Sequence, residues 1–102
     1  MEENIEAGVI FMSDKTNYYS TTPNQIVMYT TAWCPDCRRA KFFMKRKKID
    51  FLEIDVNEDK KAAEFVMELN NGNRSVPTII FPDGSRMVEP NESELNEKFN
   101  QN

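Results

Sequence analysis

The two cysteines of this chain are spaced Cys-x-x-Cys and lie at the junction of two different sequence patterns. Cys34 and Cys37 follow residues 26–30, a continuous apolar run that predicts a buried strand. They begin a stretch, residues 35–48, in which apolar side chains recur at helical spacing. The start of a helix carries free N–H groups and about half a unit of positive charge, which favour a thiolate. The pattern therefore predicts a strand that delivers a reactive thiol pair to the start of a helix.

Length and charge narrow the class of protein. The chain has 102 residues, enough for one small domain. Its net charge of −4 does not suggest a nucleic-acid binder, because such proteins normally present a basic face. No apolar stretch approaches the ~20 residues of a membrane span, and the acidic start, residues 1–6, lacks the pattern of a secretory signal. We therefore expect a cytoplasmic protein, in which a Cys-x-x-Cys pair is catalytic or metal-binding rather than a structural disulfide.

The first part of the chain differs in composition from the rest. Residues 1–24 are rich in Glu, Asn, Ser and Thr, and we expect them to form an arm that is mobile or loosely docked. The apolar patch 9–12 within this arm is compatible with a short strand or a turn of helix against the domain, and translation starting at Met12 is an open alternative. The domain itself is expected to span residues 25–102.

Hydrophobic patterns in the domain predict an α/β fold with one four-stranded mixed sheet and helices on both faces. Gly72 suits a left-handed residue after the second helix, Asp55 or Asn57 suits the cap at its start, and residues 82–85 form a strong hairpin turn. The predicted strands are 26–30, 51–56, 78–81 and 86–88, and the predicted helices are 35–48, 58–70 and 92–99. The first two strands should pair in parallel across a helical crossover, and the last two should form an antiparallel hairpin.

The two cysteines are expected to differ in exposure. Cys34 lies at the very start of the helix, whereas Cys37 lies one turn in, on the same face as Ala40 and Met44, and should be more buried. We therefore expect Cys34 to attack a disulfide and Cys37 to resolve the resulting mixed disulfide. The alternative is a pair of cysteines without redox activity. A four-ligand zinc site cannot form within one chain, since the sequence has no His and no further Cys, but a metal or cluster bridging two chains stays open.

Residues around the pair are expected to tune the site, and most of them have two interpretations. Pro35 fixes its own φ and presents Cys34 rigidly. Asp36 places a carboxylate beside the sulfur and should oppose thiolate formation, or it is a solvated residue that favours the helix dipole. Trp33 either contacts a docking substrate or packs over the end of the sheet. The basic run of Lys41 and residues 45–48 is interpreted as a solvated helix face, with an anion or partner contact as the alternative.

At three segments the chain resembles the glutaredoxin branch of the thioredoxin superfamily. The Val-Met-Tyr-Thr-Thr-Ala-Trp-Cys-Pro-Asp-Cys string of residues 27–37, the strand 51–55 and the segment 71–85 carry this resemblance, which extends over about residues 25–99. The Trp before the first Cys, the Gly-Asn-Arg-Ser-Val-Pro segment and the Asp-Gly-Ser hairpin are most similar to the mycoredoxin-like members. The resemblance implies a thioredoxin fold, with strand order 2-1-3-4.

The resemblance also implies roles for individual residues. Cys34 would be the nucleophile and Cys37 the resolving thiol. Pro77 would follow a cis bond and face the cysteines, which turns the backbone of Val76 outward to pair with a bound thiol peptide as an added strand. Ser75 and Arg74 precede it, and the Arg74 guanidinium is a candidate partner for a carboxylate of a small thiol or peptide.

Three departures from the family pattern concern glutathione. Thr31 occupies a position where many glutaredoxins carry a basic residue, and residues 87–91 contain no Gly-Gly…Asp motif. The dipeptide between the cysteines is Pro-Asp, whereas Pro-Tyr or Gly-Tyr is common in the family. The contacts that hold the anionic tripeptide in many glutaredoxins are therefore not supported by this sequence.

These observations lead to one functional expectation and one rival. We expect a monomeric thiol–disulfide oxidoreductase that reduces protein disulfides or mixed disulfides of small thiols by a dithiol mechanism. It would need no tightly bound cofactor, since electrons would come from glutathione, another small thiol or a reductase. The rival is a thioredoxin-like binding module that holds a partner at the Val76 edge and uses the redox pair only for regulation.

Overall fold

The computed structural model describes residues 20–100. Within that range the chain forms four strands and three helices, which in chain order are β1 (Val27–Thr30), α1 (Pro35–Arg46), β2 (Leu52–Asp55), α2 (Lys60–Leu69), β3 (Thr78–Ile80), β4 (Arg86–Val88) and α3 (Glu92–Phe99). Most of the predicted arm, including the patch 9–12 and the alternative start at Met12, lies outside the described residues. The division into arm and domain therefore stays a prediction.

The four strands form one mixed sheet in the order β2-β1-β3-β4. β1 pairs with β2 in parallel, with Val27 opposite Leu52, and with β3 in antiparallel fashion, with Val27 opposite Ile80. β3 and β4 form the antiparallel hairpin that the turn 82–85 predicts. The predicted four-stranded sheet and its strand order are confirmed, and β1, which ends four residues before Cys34, lies in the interior of the sheet.

Helices cover both faces of the sheet, as predicted. Successive side chains of a strand point to opposite faces, so Tyr29 and Met28 enter different cores. The first core lies between the sheet and α2 and contains Val27, Tyr29, Ile54, Val56, Ala62, Ala63, Val66 and Ile80. The second lies between the sheet and the helices α1 and α3 and contains Met28, Ala40, Phe43, Met44, Ile79, Phe81 and Leu95. Burial of each large apolar side chain stabilises the fold by roughly 1.5–3 kcal/mol.

Helix α1 ends two residues before its predicted end. Lys47 is the C-cap, and Lys48 adopts a left-handed conformation with φ of 60°. The backbone N–H of Ile49 then donates to the carbonyl of Met44 at 2.8 Å. This reversal of the chain brings Ile49 against the second core. Tertiary packing therefore ends the helix before Lys48, where the sequence pattern predicted its end.

Helix α2 begins two residues after its predicted start, and its predicted caps are wrong. The N-cap is Asp59, whose Oδ1 accepts from the N–H of Ala62 at 3.1 Å. Asp55 instead accepts from the N–H of Asn57 at 2.8 Å and stabilises the turn before the helix. Gly72, with φ of 94°, has the left-handed conformation predicted for it after α2.

The residues that lead into β1 pack on the hairpin. Pro23 is fully buried, although the sequence placed it in the arm. Gly84 has a φ of 92°, which L side chains rarely adopt, and a Cβ built there would lie in ordinary contact with Thr22 Cγ2 at 3.5 Å. No helix in residues 20–100 is both long and apolar enough to cross a membrane.

Candidate active site

Cys34 occupies the N-cap of α1, and its sulfur takes the place of the usual capping oxygen. Its backbone is extended, with φ of −89° and ψ of 113°, and its Sγ accepts from the backbone N–H of Cys37 at 3.0 Å. Pro35 follows in the first turn, where its missing N–H leaves no gap in the helical hydrogen bonds. The Cys34 side chain is half-buried, so its sulfur is both open to a substrate and directed at the positive end of a helix.

Cys37 lies behind Cys34 and is completely buried. Both cysteines are free thiols in this structure. Burial, followed by the hydrogen bond with Cys34, raises the pKa of the Cys37 thiol to about 12, although the backbone N–H of Thr31 and the charge of Lys41 act in the opposite direction. Cys37 is therefore a protonated thiol at neutral pH. The predicted contrast in burial between the two cysteines is confirmed.

A cis peptide bond between Val76 and Pro77 faces the thiol pair. The thiol of Cys34 donates to the carbonyl oxygen of Val76 at 3.6 Å, which places this backbone beside the sulfur. No acceptor within residues 20–100 is recorded for the N–H of Val76. The cis Pro77 implied by the resemblance is therefore present, and the adjoining Val76 backbone has hydrogen-bonding capacity left for a bound peptide.

The residues before Val76 tie this loop to the rest of the domain. The carbonyl of Ser75 accepts from the hydroxyl of Thr78 at 2.7 Å. The guanidinium of Arg74 donates to the carbonyl of Val56 at 3.2 Å and to Oδ1 of Asn57 at 2.8 Å. Arg74 thus joins the cis-proline loop to the turn after β2, and its predicted contact with a substrate carboxylate stays a prediction.

The other two predicted site residues differ in their surroundings. Trp33 is 83% exposed, so the alternative in which it packs over the end of the sheet is wrong. Its contact with a docking substrate stays a prediction. Asp36 forms an ion pair with Arg39 at 3.0 Å, one turn further along α1. The carboxylate beside Cys34 therefore has a cationic partner of its own.

The sequence analysis missed the ion pair of Lys41, a residue whose charge acts on the Cys37 thiol. The Nζ atom of Lys41 lies 2.8 Å from Oε2 of Glu53, and the hydroxyl of Thr30 donates to the same oxygen at 2.8 Å. Partial burial alone would raise the pKa of Glu53, but the hydrogen bonds from Lys41 and Thr30 outweigh it and hold that pKa below its usual value. The sequence did indicate that Lys41 is a neighbour of the thiol, since it follows Cys37 by four residues and so lies next to it on the helix.

Metal ligation was the second chemistry left open for the cysteines. Among the residues described, 20–100, no group of three or more His, Cys, Asp or Glu side chains converges on a point. The metal or cluster bridging two chains concerns a second chain and stays untested. Within one chain the site is one of two thiols, a helix N-terminus and a cis-proline loop.

A four-stranded sheet in this order, with a Cys-x-x-Cys pair capping α1 opposite a cis proline, defines a dithiol protein with a thioredoxin fold. The chain belongs to the glutaredoxin family, whose family model, described as Glutaredoxin, matches residues 26–86. The expected family and fold are therefore confirmed.

Individual relatives agree with this assignment. A Mycobacterium tuberculosis protein named as a glutaredoxin is 41% identical over 74 residues, covering 72% of this chain and 88% of the relative. Mycoredoxin 1 of Corynebacterium glutamicum is 36% identical over 72 residues, covering 71% and 89%. The crystal structure of a glutaredoxin from Archaeoglobus fulgidus superposes with a TM-score of 0.63 at 32% identity, covering 76% of this chain and 87% of that one. A buckwheat glutaredoxin–glutathione complex, with a TM-score of 0.61, 15% identity and coverages of 94% and 86%, shows the fold alone.

Proposed function

We propose that this protein is a thiol–disulfide oxidoreductase that reduces protein disulfides, or mixed disulfides of small thiols, with both of its cysteines. The observation that carries the proposal is the position of Cys34 Sγ, half-exposed at the start of α1 and 3.0 Å from the N–H of Cys37. An N–H and a helix N-terminus stabilise the thiolate, which is the attacking form of cysteine. The buried thiol of Cys37 lies one helical turn further on, where it can form a disulfide with Cys34.

The reaction proceeds in two exchanges. In the first, the Cys34 thiolate attacks one sulfur of the substrate disulfide, the substrate S–S bond breaks, and one thiol leaves. In the second, Cys37 loses its proton and attacks Cys34 Sγ, which releases the other thiol with the electron pair of the broken bond. Two electrons have then passed to the substrate, and the protein holds a Cys34–Cys37 disulfide.

Substrate binding is proposed at the cis-proline loop. An extended peptide would pair with the backbone of Val76, whose carbonyl already lies 3.6 Å from Cys34 Sγ. Trp33, 83% exposed and adjacent to Cys34, would cover the other side of that peptide, with Pro35 and Asp36 at its edge. Ser75 supports the loop. Arg74 would bind a substrate carboxylate through the guanidinium N–H groups that are not used in its two recorded hydrogen bonds.

Electrons to regenerate the dithiol would come from a small thiol or a reductase, with no tightly bound cofactor. A structural neighbour is a complex with glutathione, and glutathione is one candidate donor for this chain. The departures at Thr31 and at residues 87–91 favour testing other small thiols beside it. We propose that the protein acts as a monomer in the cytoplasm, a reducing compartment in which a thiol donor is at hand.

Mass spectrometry after thiol alkylation tests the proposal directly. The full chain is equilibrated across a series of glutathione redox buffers, and the masses of the trapped species are read. We expect a two-electron switch between the dithiol and the Cys34–Cys37 disulfide, and a glutathione adduct on Cys34 would identify that thiol as a usable donor. No change across the range would contradict the proposal and favour the rival, a binding module that holds its partner at the Val76 edge.

A further inference from the structure

The buried thiol of Cys37 poses a problem for the second exchange. Cys37 must become a thiolate to attack Cys34, yet it is completely buried and its pKa is raised to about 12. A buried anion needs compensating charge or hydrogen-bond donors nearby. The groups recorded as acting on this sulfur are Cys34, the backbone N–H of Thr31 and the charge of Lys41, and Lys41 alone brings a full positive charge.

Lys41 is held close to Cys37 by the fold. It follows Cys37 by four residues in α1, so the two side chains are neighbours on one face of the helix. Its side chain is 24% exposed, the lowest value among the cations with a recorded ion pair in residues 20–100. The carboxylate of Glu53 holds its Nζ at 2.8 Å, and Thr30, itself buried at the end of β1, holds that carboxylate.

We propose that Lys41 is a positioning residue for the resolving step, in which its charge stabilises the Cys37 thiolate, and that Glu53 both orients and attenuates that charge. This inference rests on the proposed dithiol function. In the step concerned the Cys37 thiol gives its proton to solvent, its sulfur forms an S–S bond with Cys34, and the bond between Cys34 and the substrate sulfur breaks. The released thiolate carries away the electron pair, so the ammonium group of Lys41 takes no proton and acts through its charge.

The charge model makes opposite predictions for the two partners. Lys41→Met removes the cation and should slow the resolving step, whereas Glu53→Gln keeps an oxygen to accept from Lys41 and Thr30 but removes the opposing charge. A structural role would make both variants slower, since each weakens the same ion pair. With a Brønsted coefficient of about 0.4–0.5, a rise of one unit in the pKa of Cys37 slows its attack roughly threefold. We therefore expect Lys41→Met to be slower than wild type, by roughly threefold for each pKa unit that the lost charge contributed, and Glu53→Gln to be faster.

The experiment uses the reduced full-length protein in excess over the chromogenic disulfide dithionitrobenzoate in a stopped-flow instrument. Attack by Cys34 releases a first thionitrobenzoate at a rate that depends on concentration. Attack by Cys37 then releases a second thionitrobenzoate, and the rate of this step does not depend on protein concentration because it occurs within one molecule. Lys41→Met should slow the second phase and leave the first unchanged, Lys41→Arg should restore it, and the control Lys45→Met, which removes the same charge further along α1, should behave as wild type.

The possible failures are distinguishable. If wild type releases only one thionitrobenzoate, the dithiol mechanism fails and the inference fails with it. If wild type shows both phases but Lys41→Met matches Lys45→Met, or if Lys41→Met and Glu53→Gln shift the second phase in the same direction, the inference is overturned while the proposed function stands.

Discussion

The backbone N–H of Cys37 donates to the sulfur of Cys34 at 3.0 Å, so Cys37 contacts the reactive sulfur through its main chain as well as lying beside it. The same residue supplies the second thiol through its side chain. These two contributions are separable by mutation, because a change of side chain leaves the backbone N–H in place.

We expect Cys37→Ser to keep the first exchange and lose the second. The variant retains the N–H that donates to Cys34 Sγ, so it should form mixed disulfides with substrate proteins that persist until a small thiol cleaves them. Non-reducing electrophoresis and mass spectrometry of the adducts provide the measurement. Cys34→Ser is the matched control and should form no adduct; adducts on that variant would show that the nucleophile has been assigned to the wrong cysteine.

Native alkylation should distinguish the two thiols. Cys37 is fully buried and its pKa is raised to about 12, so at neutral pH it is both protonated and inaccessible to iodoacetamide. Brief labelling of the folded protein should therefore add one group, located on Cys34 by peptide mapping. Labelling in denaturant should add two. Equal labelling of both cysteines in the folded protein would contradict the burial of Cys37.

The ion pair between Lys41 and Glu53 should contribute pH-dependent stability. The pKa of Glu53 is lower in the folded protein than in the unfolded chain, so its stabilising effect is fully present above the pKa of the unfolded chain and is lost as the pH falls through the folded value. Urea unfolding at several pH values should show wild type more stable than Glu53→Gln near neutrality, with the gap closing in acid. Glu64→Gln, at an exposed site on α2, is the control and should show no such gap. A gap that stays constant with pH would exclude this linkage.

The start of α3 should depend on its capping box. Asn91 Oδ1 accepts from the N–H of Glu94 at 2.8 Å, and Glu94 Oε1 accepts from the N–H of Asn91 at 2.8 Å. Asn91→Ala removes one of these bonds and should lower the free energy of unfolding by about 1 kcal/mol, whereas Asn91→Asp should lower it less. Urea denaturation provides the measurement, with Ser93→Ala in the same exposed turn as the control. Equal stability of Asn91→Ala and wild type would show that this cap contributes nothing.

Helix ends show where the prediction from sequence failed. The core positions of α1 follow from helical spacing, but its end does not, because Lys48 turns into a left-handed conformation to bring Ile49 against the second core. For α2, several acidic and amide residues could cap the start, and Asp59 is the one whose oxygen reaches an N–H of the first turn. The residue at which a helix begins or ends depends on where the neighbouring strand ends, and the local sequence pattern does not contain that information.

The sequence by itself determined the strands, the hairpin turn and the pairing of Cys34 with Cys37 at a helix start. These features depend on the period of apolar residues and on backbone geometry over a few neighbouring positions. Only the tertiary structure decided that Val76 lies beside Cys34, that Trp33 is left exposed, and that Glu53 holds Lys41. The two contacts join residues far apart in the chain, and their distances are set by how helices and loops pack on the sheet.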